Sequence, residues 1–331
     1  MSACPGCAAP AEPADRFCGS CGASLADIRR VAVPRPPEGG VGACADCGNT
    51  TFTDGYCSAC GHLRGAPDRD SAELAPVVLI TDRGIEHHRN EDAGAAAVLA
   101  GATPAYAVVV SDGVSTSEDA QLASLAAATA GVEAMISALA AAPDTRAAVL
   151  AGLVQATKAA AACTRAGSSA ATAASCTYTG AVVAPAGDGT AHVGIGNAGD
   201  SRAYWLSETP TASRQLTVDD SLAQELMSTG LPADSPAVLR GAHTITRWLG
   251  ADSEPQPWAD SAVQVLRVTG PGTLLLCSDG LWNYLPDAEK LARFCSATDP
   301  MSAARSLVEF ALAAGGQDNI TVALVPIGGA P

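Results

Sequence analysis

Four C-x-x-C pairs open the chain and limit what its first part can fold into. They are, in chain order, Cys4 with Cys7, Cys18 with Cys21, Cys44 with Cys47, and Cys57 with Cys60. The residues around them are rich in turn formers and poor in aliphatic periodicity. Such a stretch cannot bury a hydrophobic core of its own, so it needs disulfide bonds or a bound metal to stabilise a fold.

Metal binding is a better interpretation of these cysteines than disulfide bonding. The chain begins MSACPGCAAP, with cysteines where a secretory signal would be apolar, and this predicts a reducing, cytoplasmic location. Two pairs separated by nine or ten residues are typical of a closed tetrahedral thiolate site. A glycine follows the second cysteine at Gly22, Gly48 and Gly61, where a positive φ suits the turn.

These patterns predict two zinc-ribbon-like units, residues 1–28 and 41–64, each with one structural Zn²⁺. Iron in a rubredoxin-like site is the alternative. Because a four-cysteine site has no open position for substrate, we expect the units to dock a protein partner rather than to perform chemistry.

The charge balance excludes nucleic acid as a main partner. The chain has 19 Lys+Arg against 34 Asp+Glu, a net charge of −15, and no basic run longer than Arg29–Arg30. Such a chain repels phosphate backbones. Residues 122–142 are long enough to span a membrane, but they are alanine-rich, carry Glu133, and have apolar residues at helical spacing. We expect an amphipathic helix there and no membrane span.

The rest of the chain predicts one larger domain. Residues 29–40 and 65–75 have the composition of linkers, so this domain is expected at residues 76–328. Short Val/Leu/Ile-rich runs predict strands at 77–80, 105–110, 177–184, 192–195, 274–277 and 320–325. Longer Ala/Leu-rich stretches predict helices at 120–141, 145–162 and 300–314. Because strands and helices do not alternate strictly, the pattern favours an α+β fold.

Acidic residues lie in turns at the ends of these predicted strands. The pairs are Glu91-Asp92, Asp112-Gly113, Asp279-Gly280 and Asp318-Asn319. Any one of them is an ordinary turn dipeptide. Together they predict carboxylates gathered at the rim of a sheet, and hard oxygen ligands suit Mg²⁺ or Mn²⁺, two of which can activate a water for attack at phosphorus.

Five segments in this order resemble the PPM, or type 2C, family of metal-dependent serine/threonine protein phosphatases of the bacterial type. They are TDRG from Thr81 with RNED from Arg89, VSDGVS from Val110, GDSRAY from Gly199, LCSDGLW from Leu276 and GQDNIT from Gly316. The resemblance implies a four-layer α-β-β-α sandwich of two antiparallel sheets flanked by helices. It also implies hydrolysis of phosphoserine and phosphothreonine in proteins by a metal-activated water, opposing a Ser/Thr kinase in signalling.

The resemblance also implies roles for individual residues. Asp92, Asp112, Asp279 and Asp318 would be catalytic and would hold two Mn²⁺ or Mg²⁺ ions. The Gly113 carbonyl would contact one ion, and Glu91 would act mainly through metal-bound water.

The chain departs from the family pattern at three places. His87 stands where the family has an arginine that grips substrate phosphate, and whether His87 or the nearby Arg89 binds the phosphate is open. Val114 replaces the histidine of animal members. No acidic residue occurs in 159–187, so we expect the accessory third metal site to be absent or altered, with Asp200 serving as a turn former.

Three functions fit this sequence. An active phosphatase is the leading interpretation, because all four aspartates are present in context. A catalytically impaired member that binds phosphoproteins is the alternative within the fold. An adaptor that works through its zinc ribbons is the alternative from another class.

Overall fold

Two six-stranded antiparallel sheets lie face to face in the computed structural model, with helices on both outer faces. The structure describes residues 2–3, 7, 9–11, 18–22, 26–35, 44, 47–53, 56–61, 69–101, 103–165, 167–169, 172–186, 190–208, 212–296 and 299–328. The strands are β1 (Ser2–Ala3), β2 (Pro10–Ala11), β3 (Ile28–Val33), β4 (Phe52–Thr53), β5 (Tyr56–Cys57), β6 (Arg69–Leu74), β7 (Val77–Asp82), β8 (Ala93–Leu99), β9 (Ala105–Ser111), β10 (Ser175–Cys176), β11 (Tyr178–Pro185), β12 (Thr190–Ala198), β13 (Arg202–Ser207), β14 (Arg214–Gln215), β15 (Leu249–Gly250), β16 (Gln264–Thr269), β17 (Gly272–Cys277) and β18 (Ile320–Ile327). The helices are α1 (Ala120–Ala141), α2 (Thr145–Ala162), α3 (Leu222–Ser228), α4 (Pro236–Arg240), α5 (Asp279–Trp282), α6 (Ala288–Cys295) and α7 (Pro300–Ala314), with a short 3₁₀ turn at Asp260–Ala262.

The strand order is β16-β12-β11-β9-β8-β3 in the first sheet and β14-β13-β17-β18-β7-β6 in the second. The inner faces meet in a core of small and branched side chains, such as Leu79, Val108 and Leu274. Helices α1 and α2 cover the first sheet, and α6 and α7 cover the second. Since each sheet is buried on both faces, its strands read as nearly continuous apolar runs. The predicted four-layer sandwich is confirmed.

The three long helices have the predicted bounds. The Asp144 carboxylate caps α2 by accepting hydrogen bonds from the amides of Arg146 and Ala147, each at 3.0 Å. Asp299 caps α7 in the same way, with Pro300 in its first turn. Helix α1 is the one helix in the described part of the chain that is long and apolar enough to cross a membrane. Half of its apolar window is buried, and it packs on α2, β8 and β9 as part of the outer helix layer. Small alanine side chains surround the helix on all sides, so its apolar residues do not form the single stripe of an amphipathic helix.

Both predicted linkers contain strands, so their assignment as linkers was wrong. Strand β3 pairs with β8 at the edge of the first sheet, and β6 pairs with β7 at the edge of the second. Strand β6 buries one face, whereas β3 places apolar residues against both the inter-sheet core and the core beneath α1. The sequences IRRVAV and RDSAEL both mix charged and apolar residues. Such strands lack the continuous apolar run that marks a central strand. The sandwich therefore begins at Ile28 rather than at residue 76, and the second cysteine unit lies between its two edge strands.

Residues 216–250, here called the flap, follow β14. In the structure this segment carries α3 and α4 and returns through β15, which pairs with β10. Three of its charged residues are ion-paired: Asp219 with Arg202 of β13 at 2.7 Å, and Asp220 with Arg247 at 2.8 Å.

Candidate metal centre

Four aspartates stand at strand ends on the two sheets. Asp92 directly precedes β8 and Asp112 directly follows β9, which are neighbours in the first sheet. Asp279 follows β17 and Asp318 precedes β18, which are neighbours in the second sheet. The pKa of Asp112 is raised well above its usual range by burial and by the charges of the other three aspartates. The four carboxylates therefore form one electrostatic cluster.

Two of these carboxylates have buried oxygens that the described residues do not satisfy. Asp92 is 1% exposed, and its Oδ2 accepts a hydrogen bond from Ser278 Oγ at 2.7 Å. Within the described part of the chain, Asp92 Oδ1 and Asp279 Oδ1 are buried and have no hydrogen-bond partner. Burial raises the pKa of Asp92 to about 7, and the charges of Asp318 and Asp279 add to this.

A divalent cation fits this arrangement. An unsatisfied buried carboxylate oxygen costs free energy, and a set of carboxylate oxygens is what Mg²⁺ and Mn²⁺ prefer. Among the described residues, no three of these carboxylates bring one oxygen each within 4.8 Å of one another. The cluster is thus open rather than a compact cage for one ion.

Asn319 and Ser278 support the cluster through hydrogen bonds, and the sequence interpretation assigned neither of them a role. Asn319 Oδ1 accepts a hydrogen bond from the Glu91 amide at 2.7 Å. Its Nδ2 donates to the carbonyls of Arg83 and Arg89 at 2.7 and 3.1 Å. Ser278 Oγ accepts from the Thr321 amide at 2.9 Å. Their only sequence signal is their position beside Asp318 and Asp279.

Gly113 lies too close to the neighbouring backbone for a residue with a side chain. Its amide donates to the Glu91 carbonyl at 3.1 Å. A Cβ at this position would lie 2.6 Å from that carbonyl oxygen and 2.9 Å from the backbone of Ala120. A side chain at residue 113 would therefore push the Asp112 turn away from Glu91. That the Gly113 carbonyl contacts an ion stays a prediction.

His87 and Arg89 take different positions. His87 Nε2 lies 3.2 Å from Asp318 Oδ1, so the imidazole faces the carboxylate cluster. Arg89 Nε donates to Glu91 Oε1 at 2.7 Å, and Glu91 is itself buried while Arg89 is half exposed. Of the two residues offered for substrate phosphate, His87 is the one that contacts the aspartate set.

Asp200 forms the predicted turn, and it is also buried where the charge of Asp279 acts on it. It follows Gly199, whose φ is 102°, so the predicted turn is present. However, Asp200 is 5% exposed, and burial together with the charge of Asp279 raises its pKa to about 8. The flap adds His243, whose Nδ1 lies 3.9 Å from Asp279 Oδ2 and whose ring stacks on Trp282. Only the fold brings these residues to Asp279.

The N-terminal cysteines form two clusters. The Sγ atoms of Cys44, Cys47, Cys57 and Cys60 all lie within 4.8 Å of one another, with 3.6 Å between Cys44 and Cys60 and between Cys47 and Cys57. Cys7, Cys18 and Cys21 form the second cluster. Cys4 lies outside the described residues.

The predicted glycine turns accompany both clusters. Gly22, Gly48 and Gly61 have φ values of 72°, 73° and 75°. Their amides donate to the carbonyls of Cys18, Cys44 and Cys57, each at 2.8 Å.

The sequence is similar to bacterial serine/threonine phosphatases. The serine/threonine phosphatase stp of Listeria welshimeri is 39% identical over 132 residues, which are 40% of this chain and 50% of the relative. Protein phosphatase PhpP of Streptococcus pneumoniae is 38% identical over 112 residues, 34% of this chain and 44% of the relative. The chain thus spans about half the length of the curated relatives it matches. No family model matches the chain.

Solved structures agree with this similarity. The PPM Ser-Thr phosphatase MsPP of Mycobacterium smegmatis, in complex with cacodylate, superimposes with a TM-score of 0.53 at 28% identity, covering 76% of this chain and 98% of that one. The catalytic domain of PstP in complex with two manganese ions gives 0.52 at 26% identity, with coverages of 78% and 98%. The sandwich has the PPM phosphatase fold, and the sequence relatives and structural neighbours that the chain resembles are serine/threonine phosphatases.

Proposed function

We propose that this chain is a metal-dependent phosphatase that hydrolyses phosphoserine and phosphothreonine in proteins. The observation that carries the proposal is the pair of buried, unsatisfied oxygens on Asp92 and Asp279, at the end of a PPM sandwich where four aspartates meet. Buried carboxylate oxygens without a partner destabilise a fold, whereas bound divalent cations would satisfy them. We place the activity opposite a Ser/Thr kinase in the cytoplasm.

The residues that would hold two Mn²⁺ or Mg²⁺ ions are Glu91, Asp92, Asp112, Gly113, Asp279 and Asp318. When bound, such ions supply an activated water for direct displacement at phosphorus. The protein's own contribution is positioning. Ser278 orients Asp92 through its hydroxyl, and Asn319 ties Glu91 to β18. His87, at the edge of the cluster, would orient the substrate phosphate.

Hydrolysis of p-nitrophenyl phosphate and of a phosphothreonine peptide tests this function. We expect both to require added Mn²⁺ and to stop when it is withheld. Mn²⁺ binding with no hydrolysis of either substrate would refute the active phosphatase and favour the impaired, phosphoprotein-binding member. Zinc content is measured in parallel, because a chelator would also attack the cysteine sites.

Replacing His87 by alanine should raise the KM for a phosphopeptide about fivefold, since one phosphate contact near the surface is worth about 1 kcal/mol. His88→Ala is the matched control, because His88 is the exposed neighbour. We expect its KM to be unchanged. An unaltered KM in His87→Ala would show that this imidazole does not contact the substrate.

We further propose that the two cysteine clusters each bind one structural Zn²⁺ and that the units dock a protein partner. The Sγ spacing and the soft thiolate donors suit tetrahedral zinc. The purified chain should then contain about two zinc ions, and Cys47→Ser should contain about one. Cys163→Ser is the control, because Cys163 lies outside both clusters. Metal analysis by mass spectrometry gives the answer, and equal zinc in Cys47→Ser and the parent would refute the site.

A further inference from the structure

The cluster of Cys44, Cys47, Cys57 and Cys60, here called the inserted unit, lies within the sandwich sequence rather than ahead of it. Strand β3 precedes this unit and β6 follows it. These strands form the edges of opposite sheets, and they contact each other across the sandwich. Folding of the inserted unit and closure of this side of the sandwich are therefore joined through the chain.

An ion pair closes the base of the inserted unit. Arg35 lies two residues after the end of β3, and its Nη2 lies 2.6 Å from Asp70 Oδ1 in β6. The Arg35 amide donates to Asp70 Oδ2 at 2.7 Å, and its guanidinium also donates to the Ser71 carbonyl at 2.8 Å. The two ends of the insertion are thus held side by side.

Both ends of the insertion lie next to the metal centre. On the β3 side, Val33 pairs with Gly94, which is two residues beyond Asp92. On the β6 side, Arg69 pairs with Asp82, and Arg69 Nε lies 2.6 Å from Asp82 Oδ2. The insertion therefore joins the sandwich at the end where the aspartates meet.

Asp82 continues this connection to Asp318. Its Oδ1 accepts a hydrogen bond from the Gly84 amide at 2.9 Å. Gly84 has a φ of 77°, and a Cβ there would lie 2.2 Å from the Asp318 carbonyl oxygen. The backbone at Gly84 is thus in close contact with the backbone of Asp318, a predicted metal ligand. Arg69 contacts the other end of this connection, at the Asp82 carboxylate.

We propose that metal binding by the inserted unit regulates the metal centre, by fixing β3 and β6 and, through Arg69, Asp82 and Gly84, the position of Asp318. This inference rests on the proposed zinc site and the proposed metal centre. Metal in the inserted unit favours the ordered edge strands, because thiolate ligation supplies folding free energy to a segment without its own core. Loss of that metal to a chelator would loosen the edge and weaken binding of Mn²⁺.

The test makes two measurements on the full chain: Mn²⁺ affinity by calorimetric titration, and the order of β3 and β6 by amide hydrogen exchange. Neither measurement requires hydrolysis. In Cys47→Ser we expect zinc loss, faster exchange in β3 and β6, and about tenfold weaker Mn²⁺ binding, the size of effect that supporting residues have on metal affinity. Cys21→Ser is the matched control, because its cluster precedes β3 and is not between the edge strands. It should lose one zinc and keep the Mn²⁺ affinity of the parent.

Arg69→Gln gives an independent test that leaves every cysteine in place. It removes the Arg69 cation that pairs with the buried Asp82 carboxylate, so Mn²⁺ binding should weaken while zinc content is unchanged. The proposal is overturned if Cys47→Ser and Cys21→Ser affect Mn²⁺ binding equally, if Cys47→Ser loses zinc with unchanged exchange and affinity, or if Arg69→Gln binds Mn²⁺ like the parent. Absence of hydrolysis with these effects intact would refute only the proposed phosphatase activity.

Discussion

The Asp279→Asn variant is expected to lose metal-dependent hydrolysis while keeping its fold. Asp279 begins α5, and its Oδ1 is buried without a partner among the described residues. Its Oδ2 accepts a hydrogen bond from Asn283 Nδ2 at 3.2 Å, and an amide oxygen can also accept that bond. The substitution therefore preserves shape and removes one negative charge from the proposed ion site. A metal contributes several kcal/mol to such a reaction, so kcat/KM should fall at least about a hundredfold.

Asp287→Asn is the control for this experiment. Asp287 caps α6 by accepting a hydrogen bond from the Lys290 amide, and asparagine is an equally good cap. The same chemical change at that site should leave Mn²⁺ affinity and turnover as they are. Retention of a tenth or more of the parent's activity in Asp279→Asn would remove Asp279 from the metal centre.

The sequence predicted elements well where local pattern and core burial agree. Helices α1, α2 and α7 are long alanine-rich stretches with capping residues or clear breaks, so their bounds follow from helical periodicity and termination chemistry. Strands β3 and β6 were missed because, as edge strands, they carry exposed charged residues among their apolar ones. Strand β8, AGAAAVL, was also missed, since alanine and glycine do not signal a strand although the segment is almost fully buried.

The sequence predicted the four aspartates of the candidate site but not the residues that the fold brings beside them. Asp112, Asp279 and Asp318 could be chosen because each adjoins an apolar run that predicts a strand, whereas Asp92 adjoins the missed β8 and was chosen through the RNED segment of the resemblance. The charges of Asp92, Asp279 and Asp318 all raise the pKa of Asp112. Asp200 and His243 approach Asp279 from segments far away in sequence, so no spacing rule finds them. Their part in the cluster depends on how β13 and the flap pack beside β17.

The metal-free protein is expected to become less stable as pH rises from 6 to 8. Burial and like charges raise the pKa of Asp92 to about 7 and that of Asp200 to about 8, above the value near 4 of an unfolded aspartate. In this window the folded state binds more protons than the unfolded state, so the free energy of unfolding falls as pH increases. Added Mn²⁺ binds the deprotonated carboxylates and should reverse the trend.

Thermal unfolding at several pH values, with and without Mn²⁺, measures this effect. We expect a drop of more than about 1 kcal/mol without Mn²⁺, which is roughly 2–4 °C in Tm for a domain of this size. Zinc content must stay constant across the series, because loss of zinc at low pH would lower stability there and mask the trend.

Asp112→Asn should raise the Tm of the metal-free protein at pH 8, although the same change removes a proposed ligand. The Asp112 carboxyl has a pKa well above its usual range because of burial and the charges of Asp92, Asp279 and Asp318, so a neutral amide relieves repulsion at no cost in volume. Like charges held together for metal binding destabilise the metal-free protein, so removing one of them should stabilise the fold while it impairs the site. A lower Tm for Asp112→Asn, or a metal-free parent that gains stability from pH 6 to pH 8, would mean that the four carboxylates are not held together against their own repulsion.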